Sequence, residues 1–468
     1  MHSINKVQNK VSPHNRESGI ESSLTRLVKP EKTEFAGVNE AFSGKHNDPD
    51  SYRGRGLYRQ TLLIIGCVWP EPDSSAAGSR MMQLIHLFLA QGWKITFASP
   101  AADSDFAFDV QKLGIEKANI KINDDGFDTF VQKLNPSITL FDRFMTEEQF
   151  GWRVAEHCPG SMRILDTEDL HCLRFARQKA IKENTSLTKA SLITDVAKRE
   201  VASIFRCDLS LVISSFEMEL LQKEFKVDES LLLHLPFMLS DIVPADVEAW
   251  PIFEARNHFI SIGNFLHEPN WNAVLFLKEE IWPQIRKELP KAEMHVYGAY
   301  PSQKVHALNQ PKTGFLIKGR AADAKAVMKK ARVCLAPLRF GAGIKGKLTE
   351  AMMCGTPSVT TDIGAEAMHG KLPWSGLIAN NATDIAQAAI ELYQNQEMWE
   401  TAQINGINII NTFYNKELLG NTLLERLKFL TENLENHRLN NFIGAMLLHH
   451  SIASTKYMAR WIEAKNRG

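Results

Sequence analysis

One segment constrains the fold of this chain more than any other. Residues 335–366 form a pattern of apolar strand, glycine-rich loop, helix and second apolar strand. The loop and helix start combine small and basic side chains, namely Arg339, Gly341, Gly343, Lys345 and Lys347. Glycine permits a tight turn, and a helix N-terminus offers free amides and the positive end of the helix dipole. The pattern favours a βαβ unit that binds an anion such as a nucleotide diphosphate, and the alternative is a solvated turn without a ligand.

Apolar strands and helical segments alternate along two stretches of the chain. The predicted strands are residues 61–68, 94–99, 138–141, 163–165 and 209–213, then 259–262, 294–297, 315–318, 333–337 and 358–361. This alternation predicts an α/β fold with two facing Rossmann-like domains, each a doubly wound parallel sheet. Ligands of such folds bind at the carboxyl ends of the strands, so we expect a cleft between the domains.

The same pattern predicts the domain organisation. A polar segment without periodicity at residues 1–57 is expected to be a disordered tail. The first Rossmann-like domain is placed at 58–240, a proline-containing linker at 241–256 and the second domain at 257–427. A helical segment at 428–468 follows.

Composition excludes several classes of protein. The 54 basic residues balance 54 acidic ones, so no overall positive field indicates a nucleic-acid partner. The six cysteines form no CxxC pair, which favours free thiols in a reducing compartment. We see neither a signal peptide in the polar N-terminal segment nor an apolar run of about 18 residues, the length that spans a membrane. We therefore expect a cytoplasmic protein without a transmembrane segment, although peripheral membrane contact stays open.

Three segments, residues 259–277, 292–301 and 331–352, carry a family resemblance. They are similar to the donor-binding region of GT-B glycosyltransferases of the family 4, group 1 type, and the likeness extends over most of residues 61–427. The resemblance implies that Glu350 binds the donor ribose, and that Gly263 and Asn264 lie beside the phosphates. It also implies that basic residues and amides of the glycine-rich loop hold the diphosphate, and that a helix of the C-terminal segment, expected at 439–461, crosses back to the first domain.

The chain departs from the family pattern at one position. The family usually has two glutamates separated by seven residues, but the earlier position here is Ala342. That missing carboxylate usually contacts the donor sugar, so the identity of the sugar stays open. Positive charge around Glu350 is expected to keep this remaining carboxylate ionised.

On the acceptor side, we expect loops after the strands of the first domain to face the cleft. Gly78 and Arg80 follow the first strand, and Asp142 ends another. The segment 165–174 follows a third strand and contains Asp166, Asp169 and His171. These groups suit orientation or deprotonation of an acceptor hydroxyl. Capping of the following helix is the equally weighted alternative.

The sequence and the resemblance together predict a glycosyltransferase. It would move a sugar from a nucleotide-sugar donor to a hydroxyl of a saccharide or glycoconjugate, with retained anomeric configuration and with no cofactor. Asp169, His171, Lys347 and Glu350 are the predicted catalytic residues. A nucleotide-sugar epimerase and a degenerate binding subunit are the alternatives. Asp103 and Asp105 match a metal-binding Asp-x-Asp triplet, but they lie in the wrong domain for a donor site, so we predict no metal.

Overall fold

The computed structural model describes residues 60–449 together with Trp461 and Lys465. The predicted tail at 1–57 and most of the segment after residue 449 lie outside the described residues. Both sheets of the fold belong to one compact unit of the chain.

The first sheet has seven parallel strands in the order β3-β2-β1-β4-β5-β6-β7. Its strands are β1 Thr61–Ile65, β2 Lys94–Ser99, β3 Glu116–Asn119, β4 Ile138–Asp142, β5 Met162–Asp166, β6 Leu209–Val212 and β7 Leu232–His234. The central strands β4 and β5 are buried along their whole length, which explains their continuous apolar sequence.

The second sheet repeats this winding with six parallel strands in the order β10-β9-β8-β11-β12-β13. Its strands are β8 Phe259–Ile262, β9 Met294–Tyr297, β10 Phe315–Gly319, β11 Val333–Ala336, β12 Ser358–Thr360 and β13 Gly376–Ile378. We call β1–β7 with their helices the first half, and β8–β13 with theirs the second half. In both sheets the chain order reverses beside the first strand, the position at which α/β folds bind ligands.

Helices connect the strands and cover the sheets. In the first half they are α1 Ala76–Ala90, α2 Gly126–Leu134, α3 Phe144–His157, α4 His171–Glu183, α5 Lys189–Leu192, α6 Asp195–Arg206 and α7 Ser215–Lys223. The others are α8 Pro244–Glu248, α9 Glu268–Phe276, α10 Trp282–Glu288, α11 Gln303–His306, α12 Ala324–Lys330, α13 Gly346–Met353, α14 Asp362–Ala365, α15 Ala382–Gln394, α16 Gln396–Phe413, α17 Lys416–Asn440 and α18 Phe442–Leu448. A π-helical turn, Leu277–Ile281, joins α9 to α10.

Helix α17 returns from the second half to the first. Its buried Leu423, Leu427 and Leu430 pack in the same apolar cluster as the first sheet. The resemblance implied a crossing segment at 439–461, and Asn441 in that segment does donate to the carbonyl of Phe205 in the first half. The contacts with the first half nevertheless begin earlier, at Leu419, about one turn into α17. The domain boundary predicted at 427/428 falls inside α17, before its kink at Asn433.

Two further features of the described residues concern the cysteines and the helices. All six cysteines are free, and all but Cys67 are buried, as expected for apolar runs. Among the helices described, none is both long enough and apolar enough to span a membrane.

Candidate functional site

The glycine loop, residues 337–345, joins β11 to α13 at the boundary between the two halves. Gly343 has φ +64°, and a Cβ atom there would lie 2.9 Å from Cβ of Asp169 in the first half. A side chain at this position would therefore be strained and would collide with the opposite wall. Helix α13 starts at Gly346, where a Cβ atom would lie 2.8 Å from Cβ of Ala76, the first residue of α1. The helix start thus faces the first half.

Three cations surround this loop, and each hydrogen-bonds to a neutral oxygen. Arg339 Nε donates to Asn272 Oδ1 at 2.8 Å, and Lys347 Nζ donates to Asn270 Oδ1 at 2.7 Å. Lys345 Nζ donates to the carbonyl of Gly343 at 2.6 Å. Among the ion pairs of the described residues, none includes these three side chains.

Burial makes the lysine charges costly. It lowers the pKa of Lys347 to about 8. The pKa of Lys345 is also lowered to about 8 by burial, although the carboxylate of Glu366 opposes the shift. Both values lie well below that of a free lysine, because protein atoms have replaced water around the ammonium group. A bound anion would reverse this effect.

The loop after β8, which contains Gly263 and Asn264, contacts the start of α13. A Cβ atom on Gly263 would lie 2.8 Å from Nζ of Lys347, so the glycine leaves room for that ammonium group. Asn264 is held by its backbone and side chain, since its carbonyl accepts from Asn270 Nδ2 at 2.9 Å. The pair Lys347 and Asn270 therefore connects the start of α13 to the loop after β8.

Glu350 lies on α13 but outside the ring of loop cations. It is half-buried, and burial raises its pKa, with Lys325 opposing and Asp323 adding to the shift. Burial therefore acts against the ionised form of Glu350, whereas the sequence predicted that positive charge would favour that form. A carboxyl group accepts hydrogen bonds whether or not it is protonated, so contact with a donor ribose stays a prediction.

Three predicted acceptor-side residues are buried. Arg80 and Asp166 have fully buried side chains and form an ion pair, with Arg80 Nε 2.9 Å from Asp166 Oδ1. Arg80 also donates to the carbonyl of Leu235 at 2.7 Å. Gly78 is buried, and its amide donates to the N-cap Ser75 Oγ at 3.0 Å. Gly78 and Arg80 on α1 and Asp166 at the end of β5 are therefore turned into the interior, where they support the edge of the sheet.

Asp142, at the end of β4, is also buried and hydrogen-bonded within the protein. Its Oδ2 accepts from the Cys67 amide at 3.0 Å and from Arg143 Nη1 at 3.1 Å. Burial raises its pKa, while Arg143 opposes the shift. Arg143 itself has φ +69°, an uncommon conformation for a residue with a side chain. The Asp142 carboxylate therefore joins the loop after β1 to the turn between β4 and α3.

Asp169 and His171 are the predicted acceptor-side residues that face the second half. Burial disfavours the Asp169 carboxylate, but Arg174 and His171 outweigh this and lower its pKa to about 2. Burial lowers the pKa of His171 to about 4, although Asp169 opposes the shift. The two side chains are 3.5 Å apart between Nε2 and Oδ1. At neutral pH the cleft therefore presents an ionised carboxylate beside a neutral imidazole.

His267, which the sequence analysis missed, approaches this pair from the loop after β8. Protein atoms crowd its partly exposed ring and lower its pKa to about 4, and Asp169 opposes the shift. Glu217 and Arg177, also missed, link the first half to the glycine loop. The polar residues that follow β6 and β8 were the available signal for Glu217 and His267.

The Asp-x-Asp triplet, Asp103 to Asp105, lies between β2 and β3 in the first half. Asp103 pairs with Lys117 at 2.6 Å, on the first half. In the described part of the chain, no group of three or more His, Cys, Asp or Glu side chains is arranged to hold a metal ion.

Comparison with known proteins identifies the second half. Residues 256–395 match the family described as Glycosyl transferases group 1. No curated protein sequence matches the chain significantly. The predicted resemblance is thereby confirmed for this segment, as is the predicted class of enzyme, a transferase.

Solved structures confirm the fold over most of the chain. Sucrose-phosphate synthase from Thermosynechococcus elongatus has 15% identity and a TM-score of 0.59, with 80% of this chain and 99% of that chain covered. Anabaena HepE, solved with UDP and glucose, has 12% identity and a TM-score of 0.59, covering 79% and 100%. TarM from S. aureus, solved as a mutant with UDP, fondaparinux and alpha-GlcNAc-glycerol, has 15% identity and a TM-score of 0.52, covering 65% and 58%. The chain has the GT-B fold.

Proposed function

We propose that the protein transfers a sugar from a nucleotide-sugar donor to a hydroxyl of a carbohydrate-type acceptor, with retained anomeric configuration and without a metal ion. One observation carries the proposal. Arg339 in the glycine loop and Lys345 and Lys347 at the start of α13 all have neutral oxygens as hydrogen-bond partners. This arrangement leaves positive charge for an anionic ligand to neutralise.

The chemistry follows from where charge develops. As the bond between the sugar and the diphosphate breaks, negative charge grows on the leaving phosphate. Lys345, Lys347 and the helix amides are already in place to stabilise it, and one well-placed donor of this kind lowers a barrier by about 3–4 kcal/mol. These cations take the part that a metal ion plays in other transferases.

The acceptor would approach from the first half. Asp169 lies against Gly343, so an acceptor hydroxyl held by its carboxylate would be next to the glycine loop. His171 is neutral at pH 7 and is available as a hydrogen-bond partner. HepE, with a similar fold, was solved with UDP and glucose, which supports a nucleotide-sugar donor for this chain.

A ligand screen tests the proposal. ADP, GDP, UDP and TDP are each added to the purified chain, and the unfolding temperature is recorded. We expect at least one to raise it, because a ligand that binds only the folded state stabilises that state. Lys347→Met should remove the rise. The matched control is Lys278→Met, since Lys278 Nζ also donates to a side-chain amide oxygen, Gln310 Oε1 at 2.6 Å, but away from the glycine loop.

Product analysis then separates the alternatives. Incubation with the nucleotide-sugar alone should leave the sugar configuration unchanged, and addition of saccharide acceptors should give a new glycoside. Isomerisation of the donor without an acceptor would establish the epimerase instead. Binding without turnover across a broad acceptor panel would identify a binding subunit. If no nucleotide stabilises the chain and Lys347→Met changes nothing, the proposed function is wrong.

A further inference from the structure

Two side chains of the first half hold the glycine loop of the second half. Glu217, on α7, accepts a hydrogen bond at its Oε1 from the amide of Gly343, at 2.8 Å. Arg177, on α4, donates to the carbonyl of Gly341 at 2.9 Å. The loop is thus tied at two backbone groups, one donor and one acceptor, by residues that lie more than 100 positions earlier in the chain.

Each of these side chains is anchored within the fold. Glu217 Oε1 also accepts from the amide of Leu170 at 2.9 Å. Arg177 forms a two-point ion pair with Glu366 of the second half, with separations of 2.6 and 2.9 Å. The Arg177 guanidinium also lies 5.1 Å from the centre of the Phe216 ring, next to Glu217 in the chain. The two contacts therefore form one connected unit.

Packing around the unit excludes water. The Glu217 side chain is fully buried, and its second oxygen, Oε2, has no hydrogen-bond partner among the described residues. Ala342, between the two tied glycines, packs in the apolar cluster of the first sheet. Removing a buried partner leaves the other polar group unsatisfied, which costs more than the net value of the bond.

We propose that Glu217 and Arg177 are positioning residues that set the glycine loop for the donor diphosphate from the opposite half of the molecule. The inference rests on the proposed function, because it takes the loop as the donor site. Its consequence is a coupling between the halves: the loop has this conformation only while they are in contact. Donor affinity and contact between the halves then strengthen each other, as linkage requires.

The protonation state of Glu217 gives a second way to test the positioning role. Burial raises its pKa to about 8, Asp169 adds to the shift, and the amides and Lys345 oppose it. Cys172 and Arg80 also face it, from α4 and α1. Since a free glutamate titrates near 4.5, this group stabilises the fold fully below that pH, and its contribution is lost as the pH rises through about 8.

Hydrogen exchange tests the contact without a ligand. In the free full-length chain, Glu217→Ala should increase exchange of the loop peptide 339–347 about tenfold, because the Gly343 amide loses its acceptor. Glu217→Gln should not, because glutamine retains the oxygen. The matched control is Glu200→Ala, which removes a buried carboxylate that also accepts from two amides, those of His171 and Cys172, within the first half.

Nucleotide affinity tests the positioning role, with the tightest-binding of ADP, GDP, UDP and TDP as the probe. Glu217→Ala and Arg177→Met should each weaken binding about tenfold, or about 1.4 kcal/mol. Glu217→Gln and Glu200→Ala should stay within about twofold. The ratio of wild-type to Glu217→Gln affinity should fall between pH 7 and pH 9, because the wild-type carboxyl ionises in this range and the glutamine does not.

The outcomes separate the inference from the function it rests on. Wild-type binding with unchanged affinity and exchange in Glu217→Ala would overturn the positioning role and leave the proposed function standing. If the alanine variant does not fold, the glutamine variant decides, since a ratio that is flat from pH 7 to pH 9 would contradict the role. A wild-type chain that binds none of the probes would overturn both.

Discussion

The two halves place opposite arrangements of charge at equivalent edges of their sheets. At the edge of the first sheet, the buried Arg80 and the half-buried Arg143 are paired with the carboxylates of Asp166 and Asp142. At the edge of the second, Lys345 and Lys347 are bound only to carbonyl and amide oxygens. The same winding therefore gives a neutralised edge in one half and a positively charged edge in the other.

This difference separates charged groups that support the fold from charged groups that can bind a ligand. A buried ion pair is satisfied within the protein, so breaking it exposes an uncompensated charge and destabilises the fold. A buried cation with neutral partners is less well satisfied, which is why burial lowers the pKa of both lysines. An anionic ligand stabilises the second arrangement and has nothing to add to the first.

The largest effect is expected at the neutralised edge. Arg80→Met leaves Asp166 buried without its partner, so the free energy of unfolding should fall by about 3–5 kcal/mol. Urea unfolding measures this. Lys198→Met, which removes an exposed pair with Asp195 on α6, is the control and should show no change. A loss below about 1 kcal/mol for Arg80→Met would erase the distinction between the two edges.

The reverse pattern is expected at the charged edge. Lys345→Met should change the free energy of unfolding of the free chain by less than about 1 kcal/mol, because the substitution removes a charge that burial disfavours. The same variant should bind a nucleoside diphosphate about tenfold more weakly, since one charge-assisted contact is lost. Calorimetric titration with UDP measures the affinity, and urea unfolding measures the free energy of unfolding. Strong destabilisation with unchanged affinity would make Lys345 a structural residue.

Proton uptake sharpens the comparison. At pH 8 the two lysines are each partly deprotonated in the free chain, and a bound diphosphate should raise their pKa values, so binding should take up protons. At pH 7 the uptake should be smaller, because both lysines are already mostly charged. Titrations in buffers with different ionisation enthalpies measure the uptake. Equal uptake at the two pH values would contradict the lysine assignment.

The smallest effect is expected at Glu350. Glu350→Gln keeps the shape and a hydrogen-bonding oxygen of the side chain, so it should change nucleotide affinity by about threefold or less, the value of a fraction of one hydrogen bond. Glu350→Ala should weaken binding more, because it removes the hydrogen-bonding group. Competition binding with UDP and uracil distinguishes a ribose contact from a base contact.

Sequence patterns predicted the long, fully buried strands well, because continuous apolar runs leave few alternatives. They missed β3, β7 and β13, which are three or four residues long and lie at or next to the ends of the sheets. The glycine loop and its cations were also predictable, since they are contiguous in sequence. Their placement depends only on the end of β11, the glycine loop and the start of α13, which are adjacent in the chain.

The direction in which side chains point was not predictable in the same way. Arg80 follows a cleft-facing loop in sequence, but the face of α1 on which it lies directs it into the interior. Glu217 accepts a hydrogen bond from Gly343, 126 positions later in the chain, and no local sequence pattern predicts such a contact. Glu350 was expected among the lysines, whereas its helical position places it nearer to Lys325.

The return of α17 to the first sheet has a consequence for biosynthesis. Leu423, Leu427 and Leu430 fill the core under β1 and β4, yet a ribosome adds them after every strand of both sheets. During translation one apolar flank of the first sheet stays uncovered until both sheets and α17 have been synthesised. Such a nascent intermediate is the stage most exposed to aggregation and to chaperone capture.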